Sequence, residues 1–557
     1  MSTSVIRRLA VGDLRTQDFS RSPWMGTGDE RAVSALLRRI REAPSPESTA
    51  GADRTRTTRA RLATLGLFGL GLPQGVGGSG LSRTGTARVF EALGRTDASA
   101  AALLSAHSAF AAQALLRDAS DAVKAEWLPK VANGEVMLAF ALTERETGSD
   151  LSAPQTYAAR QPGGYMLSGQ KTWVTGGEFA DAFVVISRTA SEEDGARPLT
   201  SAFLVPRTEG LGISEAGDQV GLHGARACTV SWDQVFVPSA NMLGVRGDGR
   251  RVALRAMSEG RVLISAASLG LCKRIVDLMV ERAGSRRSFG RSLGELGMVR
   301  DRVASALALT YALESVVYAT SASQHADNEA EFAADSTACK VMAADTLLRL
   351  TTLSFPLASG EGYRTGSAFG GVYQDALGYL SIGGPVDVLR SSLGISLTEH
   401  ARTAAGTAAK NERLLTRAEQ FASGILRKAM PGAASDEFSA VEDEVRELAT
   451  LFSDACAAAA VRYGRDIVEV QFVQRRLARS AVALYASVSC IARARHAASV
   501  HGKQGALRER DLTRVYVRSA MAEIRQELGS LADNDDELRK AIAVKAYNDR
   551  GYALDVV

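Results

Sequence analysis

The sequence predicts a mostly α-helical protein with one small β domain in its first half. Three observations support this fold class. Residues 30–135 are rich in Ala, Leu and Arg, as in helices. From residue 136 the sequence pattern changes to short apolar runs bounded by Gly and Pro. Helical periodicity returns at Arg250 and continues to the end. At 557 residues the chain is too long for one core, so two to four cooperating domains are expected.

Composition narrows the classes of function. Hydrophobic residues make up 46% and charged residues 23% of the chain, as in ordinary globular proteins. The 66 basic and 62 acidic residues nearly balance, so we expect no nucleic-acid partner. The five cysteines lack paired spacing and the six histidines show no i, i+4 pair, so we expect reduced, mostly buried thiols and no metal centre.

The hydropathy pattern bears on location. The first ten residues lack an apolar stretch of signal-peptide length, and no uninterrupted apolar run of about 18 residues occurs. We therefore expect a soluble, cytoplasmic protein without stable membrane insertion.

An N-terminal helical domain is expected over residues 1–136. Turn signals interrupt it at Pro44–Pro46 and Pro73–Gly80. Small and apolar residues fill every face of Ser99–Leu116, which predicts a buried helix. His107 lies in that helix, and a core histidine is its favoured interpretation.

A β domain is expected over residues 137–245. Its strand-like runs are rich in β-branched and aromatic residues and are bounded by turn residues. Four runs carry this prediction: Tyr165–Leu167, Phe183–Ile186, Ala202–Pro206 and Val235–Pro238.

Two further helical domains are expected, a central bundle over residues 246–408 and a C-terminal domain over residues 409–557. A Gly-rich stretch at 359–384 interrupts the bundle. The polar stretch Pro431–Glu444 is predicted to be a linker or loop. The longest helix candidate, Ile467–Val488, carries an apolar stripe at three- and four-residue spacing, which indicates a core-facing or partner-facing helix.

Several short motifs follow one another along the chain. They are Gly66-Leu67-Phe68-Gly69-Leu70, Phe140-Ala141-Leu142-Thr143-Glu144 with Gly148-Ser149-Asp150, Gly169-Gln170-Lys171-Thr172-Trp173-Val174-Thr175, Arg286-Arg287-Ser288-Phe289-Gly290, Gly360-Glu361-Gly362-Tyr363 and Val388-Leu389-Arg390. Each is weak evidence alone, but their order and spacing together resemble the acyl-CoA dehydrogenase family. The long, very-long-chain type is the closest resemblance, because the match continues past residue 400 to the C-terminus.

This resemblance implies a fold and an activity. The fold has a helical N-terminal domain, a small β-barrel, a four-helix bundle and an added C-terminal helical domain that covers the surface through which short members form tetramers. The activity is that of an FAD-dependent oxidoreductase on an acyl thioester, carried by CoA or by a carrier protein. FAD contacts two subunits in the family, so a homodimer is implied, with an electron-transfer flavoprotein or an acyl carrier protein as a partner.

The resemblance also assigns residues to the flavin ring. Phe140, Leu142 and Thr143 line its pyrimidine side, Trp173 packs its indole on the isoalloxazine, and Thr175 directs its hydroxyl towards N5. Hydroxyl and backbone groups suit this role, because they hydrogen-bond the ring edge without adding charge. Taken alone, each threonine would be an ordinary strand residue.

The rest of the cofactor is assigned in the same way. Ser149 is implied near the pyrophosphate or the pantetheine arm of the substrate. Arg286, followed by Phe289 and Gly290, resembles the motif whose guanidinium binds the FAD pyrophosphate of the neighbouring subunit, a contact for which arginine is well shaped. Gly360 would let the backbone approach the adenosine half closely.

The family's usual base, a glutamate followed by glycine, corresponds here to Gly383-Gly384. Gly383 cannot accept a proton, although its N–H can bind the thioester carbonyl. Some members carry the base one residue before the arginine that matches Arg261, but that position is Gly260. The implied substrate-binding residues are Ser149, Arg261, Gly383 and Gly384.

Two carboxylates are candidates for a relocated base. Glu259 is one residue from the alternative position, which rotates its side chain by about 100° around a helix. Glu361, in the Gly-rich stretch, is less favoured still. A solvated or capping carboxylate is the favoured interpretation of both.

Three functions remain open on this evidence. They are an acyl thioester dehydrogenase with an atypical or relocated base, a flavin-dependent monooxygenase or other non-dehydrogenase flavoenzyme on the same fold, and a catalytically silent member. Departures from the family pattern at Arg145, Glu146, Pro356, Ser367 and Ala368 fall on both cofactor and substrate surfaces. The flavin-binding motifs argue against a silent member.

Overall fold

The structure of the protein is a computed structural model. It describes residues 4–19, 28–43, 52–151, 154–189, 199–215, 217–323, 328–364, 366–410 and 437–554. The predicted fold class is confirmed, since helices precede and follow one β domain.

Helices build the N-terminal part of the chain. They are α1 (Val5–Leu9), α2 (Glu30–Glu42), α3 (Ala52–Leu65), α4 (Arg83–Thr96), α5 (Ala98–Leu104), α6 (Ala112–Asp118) and α7 (Asp121–Asn133), with a π-helical segment, Ser105–Ala111, between α5 and α6. Asp97 caps α5 by accepting a hydrogen bond from the Ala100 N–H at 2.9 Å. The predicted buried helix over Ser99–Leu116 is confirmed. The turn signal at Pro44–Pro46 lies outside the described residues.

The β domain is one sheet, which in the described ranges has eight strands. They are β1 (Leu138–Ala141), β2 (Tyr157–Gln161), β3 (Gly164–Thr175), β4 (Ala182–Thr189), β5 (Leu199–Pro206), β6 (Leu211–Glu215), β7 (Ala227–Pro238) and β8 (Met242–Leu243). Their order is β6-β7-β3-β2-β4-β5-β8, with β1 parallel to β4. Each of the four predicted runs lies in one of these strands.

The central bundle contains α8 (Gly249–Ser285), α9 (Gly297–Ser321), α10 (Glu329–Ala358), α11 (Gly360–Tyr363), α12 (Ala368–Ser381) and α13 (Val386–Lys410); a hairpin of β9 (Arg287–Ser288) and β10 (Arg291–Ser292) follows α8. Helices α8 and α10 run in the same direction. Arg255 on α8 pairs with Glu329 on α10, and about two turns further along each helix Arg261 bonds to Thr337. The predicted interruption at 359–384 is wrong in part, since α11 and α12 occupy most of it. The Ser367 side chain caps α12.

The C-terminal helices are α14 (Ser439–Tyr463), α15 (Gln471–Gly505), α16 (Leu507–Gly529) and α17 (Asp536–Asp549). The helix predicted to begin at Ile467 begins at Gln471, because Gly464–Glu469 forms a 3₁₀ turn and Val470 leaves the helical conformation. Its stripe is confirmed as core-facing, since the five positions are buried: Val473, Leu477, Ala481, Leu484 and Val488. Of the predicted linker, residues 431–436 lie outside the described residues and residues 439–444 are helical.

One buried apolar cluster joins the N-terminal, central and C-terminal helices, and two smaller clusters fill the β domain and its helix contacts. All five cysteines are buried, as predicted. Ala98–Asp118 and Gly297–Ser321 are apolar and long enough to cross a membrane, but 94% and 61% of their most apolar windows are buried inside the fold. Core helices meet the same criterion.

Candidate active site

The first half of the site lies where the end of β1 meets β3. The Thr172 N–H donates to the Thr143 carbonyl at 2.8 Å, which ties the segment after β1 to β3. The pairing of β3 with β7 shifts register between Lys171 and Val174, a β-bulge. Inside the bulge Trp173 has a φ of 57°, rare for a bulky residue, and is 60% exposed. The strained backbone thus presents an aromatic face to solvent, as a surface that binds a planar ring requires.

A buried ion pair holds this corner together. The Lys171 Nζ lies 2.7 Å from a Glu144 oxygen and donates to the Leu142 carbonyl at 2.9 Å. Glu144 also accepts from the N–H groups of Gln155 and Thr156 at 2.6 and 2.9 Å. Burial opposes ionisation, but Lys171 and these N–H groups outweigh it and lower the pKa of Glu144 to about 2. The pair was not identified from the sequence.

The structure brings the implied ring-binding residues to this one corner. The partly buried ones are Phe140, Leu142, Thr143 and Thr175, while Ser149 is exposed. The turn between Thr143 and Ser149 is tight, because a Cβ at Gly148 would lie 3.3 Å from the Thr143 Cγ2. Arg145 and Glu146 project into solvent, with side-chain exposures of 89% and 78%. These two residues, which differ from the family pattern, therefore add charge at the exposed edge of the site and do not occupy the space where β1 meets β3.

The second half of the site is the loop between α12 and α13. Gly383 and Gly384 have φ values of 86° and 113°, in the region that favours glycine. A Cβ at residue 383 would lie 3.6 Å from the Arg261 Cγ and 3.6 Å from the Lys340 Cε, which is ordinary contact. The space for a side chain is present, but the backbone is shaped for glycine. A residue other than glycine at position 383 would therefore carry backbone strain.

Arg261 lies under this loop on α8. Its Nε donates to the Gly383 carbonyl and its Nη1 to the Thr337 hydroxyl, both at 3.1 Å. It is 8% exposed, and burial lowers its pKa to about 10, so it is charged at neutral pH. Among the residues that the structure describes, no carboxylate pairs with it.

Lys340 reaches the same loop from α10 and was missed by the sequence analysis. Its side chain is fully buried, and its Nζ donates at 2.7 Å to the Tyr379 carbonyl in the last turn of α12. Burial, followed by the charge of Arg261, lowers the pKa of Lys340 to about 8. Asp345, an acid on its own helix, pairs instead with Arg390 at 2.5 Å.

The alternative base position is closed by an aromatic ring. A Cβ at Gly260 would lie 2.0 Å from the Cε1 of Phe110, which belongs to the π-helical segment. The ring of Phe110 also packs 5.9 Å from that of Phe140. Residue 260 therefore has no room for a carboxylate, and Phe110 connects the two halves of the site.

Gly260→Ala is expected to destabilise the fold by about 1–3 kcal/mol, because the added methyl overpacks against Phe110. The control is Gly284→Ala, on the exposed end of α8, where a Cβ meets nothing within 4 Å and helix propensity rises. Urea unfolding of both variants measures the difference. Equal stability of the two variants would contradict the contact, and Phe110→Leu should recover part of the loss.

Glu259 is held by two arginines. Arg83 on α4 donates to both of its oxygens at 2.9 and 3.0 Å, and Arg117 on α6 donates at 2.7 Å. The expectation of a solvated or capping carboxylate is wrong for Glu259, because it is only 8% exposed. Both of its oxygens accept guanidinium hydrogen bonds, so this carboxylate joins α8 to α4 and α6. Glu361 is partly exposed and pairs with Arg364 at 2.9 Å.

Arg286, Phe289 and Gly360 lie at the other end of the bundle. Arg286 directly follows the end of α8, 25 residues beyond Arg261, a distance of about 37 Å at the rise of an α-helix. Gly360 follows the end of α10, which runs the same way. Phe289 is at the hairpin tip with a φ of 53° and an exposure of 84%. One chain therefore does not bring these residues to the β1–β3 corner.

An apolar groove of about 600 Å³ opens at that far end between α10, α11 and α12. Phe355, Tyr363 and Leu377 line it and are 45%, 88% and 53% exposed. Pro356, one of the departures from the family pattern, also lines it. Exposed apolar surface of this kind marks an interface or a ligand groove.

His107 is a core residue, as the sequence favoured. Its Nδ1 accepts from the Leu138 N–H at 2.9 Å, and its ring packs edge-on to Phe68. Burial lowers its pKa to about 3, so it is neutral. In the described part of the chain, no three His, Cys, Asp or Glu side chains lie together as metal ligands would.

Comparison with known families gives four matches, which together cover most of the chain. The models for the acyl-CoA dehydrogenase N-terminal, middle and C-terminal domains match residues 29–135, 139–235 and 247–397. The model described as ACAD9/ACADV, C-terminal domain, matches residues 436–552.

Individual relatives agree with these matches. The chain is 28% identical over 503 residues to the mitochondrial very long-chain specific acyl-CoA dehydrogenase of Bos taurus, covering 86% of this chain and 76% of the relative. It is 27% identical over 494 residues to a probable acyl-CoA dehydrogenase of Bacillus subtilis (strain 168), covering 83% and 79%. The solved structure of an acyl-CoA dehydrogenase complexed with FAD from Bacillus anthracis superposes with a TM-score of 0.84 at 23% identity, covering 100% of this chain and 97% of that one. The chain belongs to the acyl-CoA dehydrogenase family, in the long form with an additional C-terminal helical domain.

Proposed function

We propose that the protein is an FAD-dependent oxidoreductase that acts on an acyl thioester without a glutamate at the usual base position. The observation that carries the proposal is Trp173, held at positive φ and exposed beside the Thr143 segment in a member of this family. FAD, when bound, supplies the acceptor for the two electrons that leave the substrate.

The residues of the β1–β3 corner fit a flavin. The corner offers an aromatic face and neutral polar groups, and its one buried ion pair carries no net charge. An uncharged, partly apolar surface suits a planar heterocycle with hydrogen-bonding edges. The residues that would hold the ring are Phe140, Leu142, Thr143, Trp173 and Thr175, with Ser149 near the pyrophosphate or the pantetheine arm.

A homodimer is part of the proposal. Arg286, Phe289 and Gly360 are too far from the corner to serve the same FAD within one chain, so each would serve the FAD of the second subunit. The exposed groove at their end of the bundle supports an interface there. Light scattering should give the mass of two chains. A monomer would contradict the shared FAD site, and four chains would contradict the covering role of the C-terminal domain.

On the substrate side, the Gly383 N–H would bind the thioester carbonyl, with Arg261 and Gly384 shaping the loop. CoA or a carrier protein would carry the acyl group, and an electron-transfer flavoprotein would take the electrons. A cytoplasmic location stays a prediction.

A second candidate is a flavin-dependent monooxygenase or another non-dehydrogenase flavoenzyme. It is favoured by the glycine-specific backbone at Gly383 and Gly384 and by the closed position at Gly260, because both indicate a site rebuilt without a base.

The visible spectrum of the purified protein tests the proposal. We expect flavin absorbance, and anaerobic bleaching by at least one acyl thioester from a panel of CoA and carrier-protein forms. Bound flavin that bleaches with none of them, but supports substrate-dependent oxygen uptake when a reductant is added, would favour the second candidate. A folded protein that stays colourless and does not bind added FAD would contradict both.

Arg286→Ala is expected to weaken FAD binding by about 10- to 100-fold, the value of one charge-assisted hydrogen bond. The adjacent Arg287→Ala is the control, because that side chain bonds to the Gly290 carbonyl in its own hairpin. Flavin fluorescence titration of the apoprotein measures both affinities. Equal affinities in the two variants would remove Arg286 from the cofactor site.

A further inference from the structure

A cavity of about 270 Å³ lies between the central bundle and the C-terminal domain. Helices α9, α10 and α13 form its bundle side, and α15 and α16 close it from the C-terminal domain. Small-molecule sites occur preferentially at such domain interfaces. The proposed reaction does not use this cavity, so a ligand there would be separate from the FAD and the acyl thioester.

One wall of the cavity is apolar. Val341 and Met342 from α10 line it together with Val482 and Ala483 from α15, and each is at most 6% exposed. Such a wall favours the burial of a hydrocarbon chain. At about 30 Å³ for each water-sized group, the cavity holds about nine of them, so that chain must be short.

Charged side chains form the other wall. They are the arginines Arg349, Arg390 and Arg479 and the acids Asp345 and Glu523. Asp345 pairs with Arg390 at 2.5 Å and Glu523 with Arg479 at 2.8 Å, and each of these two arginines also binds a second carboxylate outside the cavity. Within the described ranges, no carboxylate pairs with Arg349. Both acids of the lining are therefore engaged, whereas Arg349 can take an external anion.

Tyr516 adds a hydrogen-bond donor to the same cavity. It is only 8% exposed, and in the part of the chain that the structure describes its hydroxyl has one partner, the Met342 Sδ at 4.0 Å. A thioether is a weak acceptor, so this buried hydroxyl lacks a good one. Burial raises the pKa of Tyr516 well above its usual value, so the phenol keeps its proton, and the nearby charge of Arg349 acts in the opposite direction.

We infer that this cavity binds a small monocarboxylate with a short apolar chain. The carboxylate accepts hydrogen bonds from the Arg349 guanidinium and the Tyr516 hydroxyl, and the chain lies on Val341 and Val482. A cationic ligand is not favoured, because arginines already hold both acids of the lining. Since the two domains share the walls, the ligand holds the C-terminal domain on the central bundle.

The test uses hexanoate as the probe on the full chain as purified. Thermal unfolding is followed at increasing concentrations of sodium hexanoate, sodium acetate and 1-hexanol, with ionic strength held constant by sodium chloride. We expect hexanoate to raise the midpoint most, because only hexanoate offers both the carboxylate and the chain, and a ligand that binds the folded state stabilises it.

Three variants locate the site. Arg349→Met and Tyr516→Phe each remove one donor from the cavity and should weaken hexanoate binding about tenfold, the value of one hydrogen bond to a charged group. Arg518→Met is the control, because Arg518 is exposed on α16 outside the cavity lining, and it should keep the wild-type response.

Three results would overturn the inference. They are no wild-type shift with hexanoate, an equal shift with 1-hexanol, and equal hexanoate shifts in the wild type and all three variants. The last result would also follow if hexanoate acted at the acyl site. Because the midpoint does not depend on turnover, failure of the proposed function would leave this test valid.

Discussion

Lys171→Met is expected to lower the free energy of unfolding by about 3–5 kcal/mol, because it leaves Glu144 as an unpaired buried charge. The Lys171 side chain is fully buried and that of Glu144 is 4% exposed, so water cannot replace the lost ammonium. The same change should weaken FAD binding, since Lys171 also holds the Leu142 carbonyl in the ring-binding segment. Denaturant unfolding and flavin titration measure the two effects.

Lys340→Met is the matched control, because it makes the same substitution at another fully buried lysine. It should cost only about 1 kcal/mol or less, since it removes one hydrogen bond to a carbonyl together with an unpaired charge. Adding Glu144→Gln to Lys171→Met should recover part of the loss. Equal costs for the two lysine variants would mean that the ion pair does not govern the stability of this corner.

The pH dependence gives an independent check on the ion pair. In the wild type the pKa of Glu144 is lowered from 4.5 to about 2, so its contribution is complete above about pH 4.5 and is lost as the pH falls towards 2. In Lys171→Met, burial without the cation raises the pKa of that carboxyl instead. As the pH falls, the folded variant binds a proton at Glu144, and its free energy of unfolding rises. The difference between wild type and variant should therefore shrink at acidic pH.

The sequence was sufficient for the features that depend on local pattern. The order of helical and strand-like segments predicted the fold class, and four apolar runs located four strands. The two predictions that were wrong have local causes as well. The helix expected to begin at Ile467 begins at Gln471, because the chain first turns through a 3₁₀ segment. The Gly-rich stretch at 359–384 contains α12, because Ser367 caps a run whose glycines lowered its apparent helix propensity.

Contacts between distant segments could not be predicted in this way. Lys340 has an ordinary apolar neighbourhood in the sequence, and only the packing of α10 beneath the α12–α13 loop places it beside Gly383. Glu259 looked solvated because its two partners, Arg83 and Arg117, are more than 140 residues away. The partners of a charged side chain come from all the elements that pack around it, so a single sequence motif does not determine its role.

Gly383→Glu is expected to slow flavin reduction by acyl thioesters about 100-fold or more, because the added side chain would displace the thioester carbonyl from the Gly383 N–H that is proposed to bind it. The fold should tolerate the change. A side chain at a φ of 86° costs about 1–2 kcal/mol, and its Cβ would make only ordinary contacts at 3.6 Å.

The same glutamate is not expected to create an efficient dehydrogenase for neutral acyl thioesters. Two adjacent cations would lower the pKa of the new carboxyl, and a carboxylate stabilised in this way is a weak base. Gly383→Ala is the control, because it introduces the same backbone strain with a smaller, uncharged side chain and should slow flavin reduction less than Gly383→Glu does. Anaerobic bleaching rates with succinyl and butyryl thioesters distinguish the outcomes. Rapid bleaching of Gly383→Glu by the butyryl thioester would show an intact dehydrogenase pocket that lacks only its base, and the two cations would then be part of its ordinary framework.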